Sequence, residues 1–217
     1  VLSDLRVPDD TPVNGELIKA VSSNWAYDHA ADLDAHTRDW MEILRTGEYY
    51  SGPYVEGNTS SKTLVASHLY TIIFAVSRPI TIDRIAIYVN TLAAAASARL
   101  GIYNNGTNLY PGTLLLDAGT CSVATTGLKT VTPPLGSQAL TRGLYHLAIV
   151  SDGAPAIYAV VSTISPLGMR DDVISHQGKS EWDVAQAYGA LPDPFTAAGA
   201  LTAVGGVLIA VRPLSLD

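Results

Sequence analysis

From residue 62 to the C-terminal end, short apolar segments follow one another at near-regular spacing, with turn-forming dipeptides between them and no helical period separating them. The dipeptides are Asn105-Gly106, Pro111-Gly112, Thr126-Gly127, Arg142-Gly143 and Asp152-Gly153. Glycine admits positive φ and proline presets its own, so such steps reverse the chain. The apolar segments are "TLVASHLYTIIFAV" (63–76), "ITIDRIAIYVN" (80–90), "SARLGIY" (97–103), "GTLLLDAGTC" (112–121), "LKTVTPPL" (128–135), "GLYHLAIVS" (143–151), "AIYAVVSTI" (156–164) and "GVLIAVR" (206–212). Roughly eight short strands without helices between them predict a mainly β chain, an antiparallel β-sandwich or jelly-roll head over residues 63–217. In "DRIAIYV" the side chains of Ile85, Ile87 and Val89 fall on one face and those of Ala86 and Tyr88 on the other, the period of a half-buried strand.

Residues 165–200 fit this pattern poorly. A polar stretch, "RDDVISHQGKSEWD", precedes an apolar Gly/Pro-rich one, and both are read as long loops, where binding function concentrates. The uncharged run 195–211 touches the lower limit of a membrane span. Its glycines and its Pro-Asp-Pro entry argue for a buried final strand over 206–212, closed by Pro213.

Ahead of the sandwich, residues 1–15 read as an extended arm, without the basic-then-apolar character of a secretory signal. Residues 16–47 are the helical zone and 48–62 a turn-rich linker. Ser22 or Ser23 and Asp34 are candidate helix caps, with Gly47 as a C-terminal stop. Ala26, Leu33, Trp40 and Ile43 recur at seam spacing, with His29 and His36 between them. The zone is therefore either a short continuous coil or a hairpin in which Trp25 packs on Trp40. A face this small does not fold alone in water, and it needs further copies of itself or the main domain.

Composition narrows the partners. Hydrophobic residues make up 47% of the chain and charged ones 15%, so part of the surface is expected to be buried in an oligomer. A net charge of -7 without any Lys/Arg cluster argues against nucleic acid and against insertion into or binding to an anionic membrane.

Catalytic patterns are missing. There is no GxSxG elbow, P-loop or GxGxxG, and His68 and His146 lie inside strand patterns. Cys121 is the only cysteine, which excludes an internal disulfide and suits a buried structural thiol. Asp171, Asp172, Glu181 and Asp183 share one loop region but read as solvated surface rather than a glycosidase pair. Asp28, His29, Asp32, Asp34 and His36 are metal-competent by type without the spacing of a zinc or calcium motif. They are read as caps and hydrogen-bonding groups, and a ring of His29 or His36 about a threefold axis is the one metal arrangement left open. No cofactor is expected. Tyr103, Tyr110, Trp182 and Tyr188 are candidates for ligand binding, as aromatic planes for a sugar; the opposing reading makes the first two hairpin flanks and Trp182 a loop anchor. Asn58-Thr59-Ser60 and Asn105-Gly106-Thr107 match the glycosylation sequon.

Two stretches carry a resemblance. "VSSNWAYDHAADLDAH" resembles an S-x-W-A-(Y/F)-D-H…D-A-H motif of bacteriophage and prophage tail-fibre proteins, departing from it at Leu33, where proline is frequent. The segments "IDRIAIYVN", "RLGIY", "PGTLLLDAGT" and "GLYHLAIVS", in that order, are similar to a jelly-roll head module of phage structural proteins. The resemblance implies a non-enzymatic virion fibre, spike or decoration subunit on the particle exterior, assembled as a homotrimer. Its N-terminus would dock on other virion proteins and its head on a host surface glycan. Trp25, Tyr27, Asp28, His29, His36, Trp40 and Ile43 would serve assembly and docking, and the family has no catalytic residues to transfer.

Overall fold

The structure is a computed structural model that describes residues 44–52, 58–161, 179–203 and 206–216. The chain forms two units, Val1–Ile43 and Leu44–Asp217, and all the described residues belong to the second. The expected arm, nearly all of the helical zone, and its assembly residues Trp25, Tyr27, Asp28, His29, His36, Trp40 and Ile43 lie outside the described residues, as do Asp171 and Asp172.

The described residues form thirteen strands: β1 (Asn58–Thr63), β2 (His68–Val76), β3 (Ile80–Thr91), β4 (Ser97–Asn105), β5 (Pro111–Ser122), β6 (Gly127–Val131), β7 (Gln138–Leu140), β8 (Gly143–Ser151), β9 (Ala156–Val161), β10 (Lys179–Ala185), β11 (Ala200–Ala203), β12 (Gly206–Val207) and β13 (Ala210–Leu216). They make two antiparallel sheets packed face to face, the β-sandwich expected from the turn-punctuated apolar pattern. One sheet runs β11-β10-β2-β8-β4-β5. The other is built on the long strand β3: β13 and β9 lie along one side, β7 and β6 along the opposite side, β1 and β12 join through β9.

Strand alternation explains the core. Ile80, Ile82, Ile85, Ile87 and Val89 on β3 meet Ile72, Phe74, Leu100, Ile102, Leu147 and Ile149 from the facing sheet, all buried in one aliphatic cluster. Each fully buried side chain of this size contributes about 1.5–3 kcal/mol. The step from Ile82 to Ile85 breaks the period of two. A bulge opposite Arg212/Pro213 absorbs the additional residue, and it turns Asp83 toward Arg212, whose Nε and Nη2 reach its two carboxylate oxygens at 2.8 and 2.5 Å. That fork holds the Asp83 carboxyl below the usual range.

Four expectations are corrected. The segment 63–76 is not one strand: the chain turns at 64–67, with Ser67 at φ 59, and a separate strand β1, Asn58–Thr63, starts inside the expected linker 48–62 and crosses its end. Pro213 does not close the last strand; it sits within β13 at a bulge, where a missing N–H leaves no ladder bond unmade. The stretch 165–200 is not all loop, since it contributes β10 at its described end and is followed at once by β11. Cys121, expected to be buried, is only half-buried on β5, and packing against the core pushes its thiol up to about 11.

Candidate functional site

The outer face of the β11-β10-β2-β8-β4-β5 sheet carries a second apolar cluster, separate from the main core: Leu69, Tyr103, Ala148, Val150, Leu191 and Phe195. Tyr110, Leu114, Trp182, Val184 and Tyr188 pack around it. The lid of this cluster is the segment 186–199, which leaves β10 and returns over β4 and β5 before β11 begins.

The residues under the lid are shaped to receive it. A Cβ placed on Gly101 of β4 would stand 2.2 Å from Leu191 Cδ1 and 2.5 Å from the Leu116 carbonyl oxygen, so only glycine lets the segment approach this closely. On β5 a bulge at Ala118–Gly119, with Gly119 at φ +103, shifts the register against β4. The Asp117 carboxylate next to it accepts from Arg99 Nη1 at 2.9 Å, from the Gly119 amide at 3.1 Å and from the Leu191 amide at 3.2 Å. Further along, the Phe195 amide donates to Gly112 O at 3.0 Å and the Leu114 amide to Asp193 Oδ1 at 2.9 Å. The segment is thus held by paired backbone groups along its length.

The four aromatic candidates come together here. Tyr103 is wholly buried, with its hydroxyl donated to Pro192 O at 2.9 Å and its ring edge-on to Phe195 at 5.4 Å. Burial with Asp117 and Asp193 nearby raises its phenol far above the ordinary range. Tyr110 donates to Thr196 O at 2.7 Å and accepts from the Gly199 amide at 2.8 Å. Trp182 donates its indole N–H to Leu109 O at 2.8 Å and meets the Tyr110 ring edge-on at 4.8 Å. Tyr188 is half-buried at the cluster edge, its phenol raised mainly by burial. Tyr103 offers no face to a ligand, and the polar atoms of Tyr110 and Trp182 are engaged by backbone. The arrangement is that of a lid anchor, with Asp193, Pro194, Ala197 and Ala198 as the exposed tip.

Sequence reasoning missed how Arg99, Gly101, Asp117 and Gly119 cooperate. Arg99 and Gly101 fall in "RLGIY", and Asp117 and Gly119 in "LLLDAGT", so a basic residue and a glycine on one strand facing an acid and a glycine on the next was the signal available. His146, also on this outer face, is fully buried; its Nε2 lies 3.2 Å from Asn105 Oδ1 and its Nδ1 has no partner. Desolvation lowers it to about 4.

Aromatic surface that is open to solvent lies on the opposite sheet. Tyr88 on β3 stacks on Tyr158 of β9 at 4.6 Å and 16°, and Leu128 of β6, paired across the ladder from Tyr88, is exposed beside them. Among the described residues no group of three His, Cys, Asp or Glu side chains is placed to hold a metal, and no helix is long and apolar enough to cross a membrane. Glu181 turns into the sandwich, while Asp183 stands 3.9 Å from His68.

No family model and no curated protein matches the chain. Among solved structures, the cysteine protease and lectin-like domains of Cwp84, a surface layer associated protein of Clostridium difficile, align at 11% identity and a TM-score of 0.41, over 71% of this chain and 36% of that one. The VP2 subviral particle of infectious bursal disease virus aligns at 13% identity and a TM-score of 0.28, over 78% of this chain and 38% of that one. This chain therefore spans well under half the length of either, and likeness at this level carries no information on activity or partner.

Proposed function

We propose that the chain is a non-enzymatic virion structural protein, a homotrimeric fibre, spike or decoration subunit that docks through its N-terminal segment and turns the sandwich outward toward a host surface glycan. The observation that carries the reading is where the phage-like motifs fall. "IDRIAIYVN", "RLGIY", "PGTLLLDAGT" and "GLYHLAIVS" lie on β3, β4, β5 and β8, and their Arg99, Gly101, Asp117 and Gly119 are the residues that seat the lid. Three of the four segments are the neighbouring strands β8, β4 and β5 of one sheet, which supports reading them as one structural unit. The carboxylates support a structural role as well: Asp117 is held by Arg99, Asp83 by Arg212 and Glu181 by Lys62, leaving none of these as a free general acid or base.

The test is the solution mass of the full chain by light scattering at neutral pH, beside residues 44–217 alone. A trimer that becomes a monomer without residues 1–43 supports an assembly stem, and Trp25→Ala or Trp40→Ala should then dissociate the full chain. A full-length monomer removes the threefold reading. A second reading, a carbohydrate-binding module, is favoured by the exposed Tyr88 ring, backed by the half-buried Tyr158, since a sugar ring packs on such a plane. Glycan binding by the sandwich that disappears in Tyr88→Ala would select it.

A further inference from the structure

A partly exposed lysine of β1 meets a fully buried glutamate of β10, in the opposite sheet. The Glu181 side chain is fully buried, and its Oε1 is in direct contact with Lys62 Nζ. The same oxygen accepts from Thr202 Oγ1 at 3.1 Å, and Oε2 accepts from the Val207 amide at 2.9 Å. Lys62 Nζ also stands 5.0 Å from the centroid of the Tyr70 ring, and the lysine side chain is 22% exposed. The two residues are 119 apart in sequence.

We propose that Lys62 and Glu181 condense into an intramolecular amide that ties β1 to β10 covalently. A carboxylate removed from water is costly to hold ionised. Burial raises the Glu181 carboxyl, and the reacting form is the neutral pair, reached when one proton is transferred from the ammonium to the carboxylate to leave an amine against an acid. The Lys62 Nζ lone pair attacks Cδ of Glu181. Oε2, held by the Val207 N–H, takes the developing negative charge and remains as the amide oxygen. Oε1, hydrogen-bonded by Thr202, collects protons from the amine and the acid and leaves as water. The bond formed is Nζ–Cδ, the bond broken is Cδ–Oε1, and no oxidant or further reactant is needed. Condensation in dilute water is unfavourable between free groups, but groups fixed in contact by a folded scaffold have effective molarities on the order of 10⁵ M or more.

Intact mass spectrometry of the full chain under denaturing conditions, fresh and after prolonged incubation, tests this. The expected mass is lower than the sequence mass by one water. A tryptic digest should lack cleavage after Lys62 and contain a branched peptide joining the Lys62 and Glu181 segments. Lys62→Arg should return the full sequence mass. Glu181→Gln can condense with loss of ammonia instead, and should arrive at the same linked mass as the parent chain. An incubated parent chain at its full sequence mass, cleaved normally after Lys62, overturns the proposal and leaves the pair ionic.

Discussion

Gly101 is the position at which a single methyl group has most to disturb. Its missing Cβ leaves the space that Leu191 Cδ1 and the Leu116 carbonyl occupy, and the carbonyl, being backbone within the β4–β5 ladder, has no room to retreat. Gly101→Ala is expected to destabilise the sandwich by about 1–3 kcal/mol, read as a lower denaturant midpoint. Adding Leu191→Ala should recover only the part due to the side-chain clash. His146 sets a pH dependence. Its folded-state pKa of about 4 lies below its ordinary value, so the unfolded chain binds the proton first as pH falls. Stability held at neutral pH is then lost from about pH 6.5 down toward 4, by at most about 3 kcal/mol. Unfolding midpoints of the parent chain and His146→Leu, compared across that window, should show a slope in the first that is absent from the second.

Among the elements, the lid 186–199 depends on β5 more than on its own sequence. Asp117 is its hinge pin, because one carboxylate joins Arg99 of β4, the bulge at Gly119 and the amide of Leu191. Asp117→Ala leaves a part-buried guanidinium without its partner and is expected to cost about 2–3 kcal/mol. Hydrogen exchange should localise the effect: amides of Leu191 and Phe195 exchange faster, while β8, central in its sheet, remains protected. Equal loss of protection in β8 would mean that the lid and sheet open as one unit. The lid also accounts for the burial of Tyr103. A tyrosine on the outer face of a sheet would otherwise be solvated, and its own sequence neighbourhood does not announce what covers it.

On the scale of the whole molecule, the described residues of Leu44–Asp217 assemble a continuous main core, so residues 44–217 are expected to unfold cooperatively as a fragment; calorimetry of that fragment should show one transition, and a broad non-cooperative melt would count against an autonomous sandwich. The sandwich class was legible because alternation and turn chemistry are local: Ile85, Ile87 and Val89 announce their common face, and Asp152-Gly153 and Arg142-Gly143 announce their turns, without reference to anything distant. Strand β8 could be bounded from residues 143–151 alone for the same reason. Strands β7, β10 and β11 could not, because they are short or polar and become strands only when a neighbour offers a ladder; β10 needs β2 on one side and β11 on the other. The aromatic residues stand out in the sequence, yet whether Tyr103 faces a ligand or a lid was open. Amino-acid sequence by itself determined the periodicity, the reversals and the inward aliphatic faces, since these follow from the geometry of adjacent peptide units. Tertiary structure alone decided which outer face is covered, that Asp117 meets Leu191 across 74 positions, and that Glu181 lies buried against Lys62, because those pairings depend on how two sheets and a long return segment close on each other.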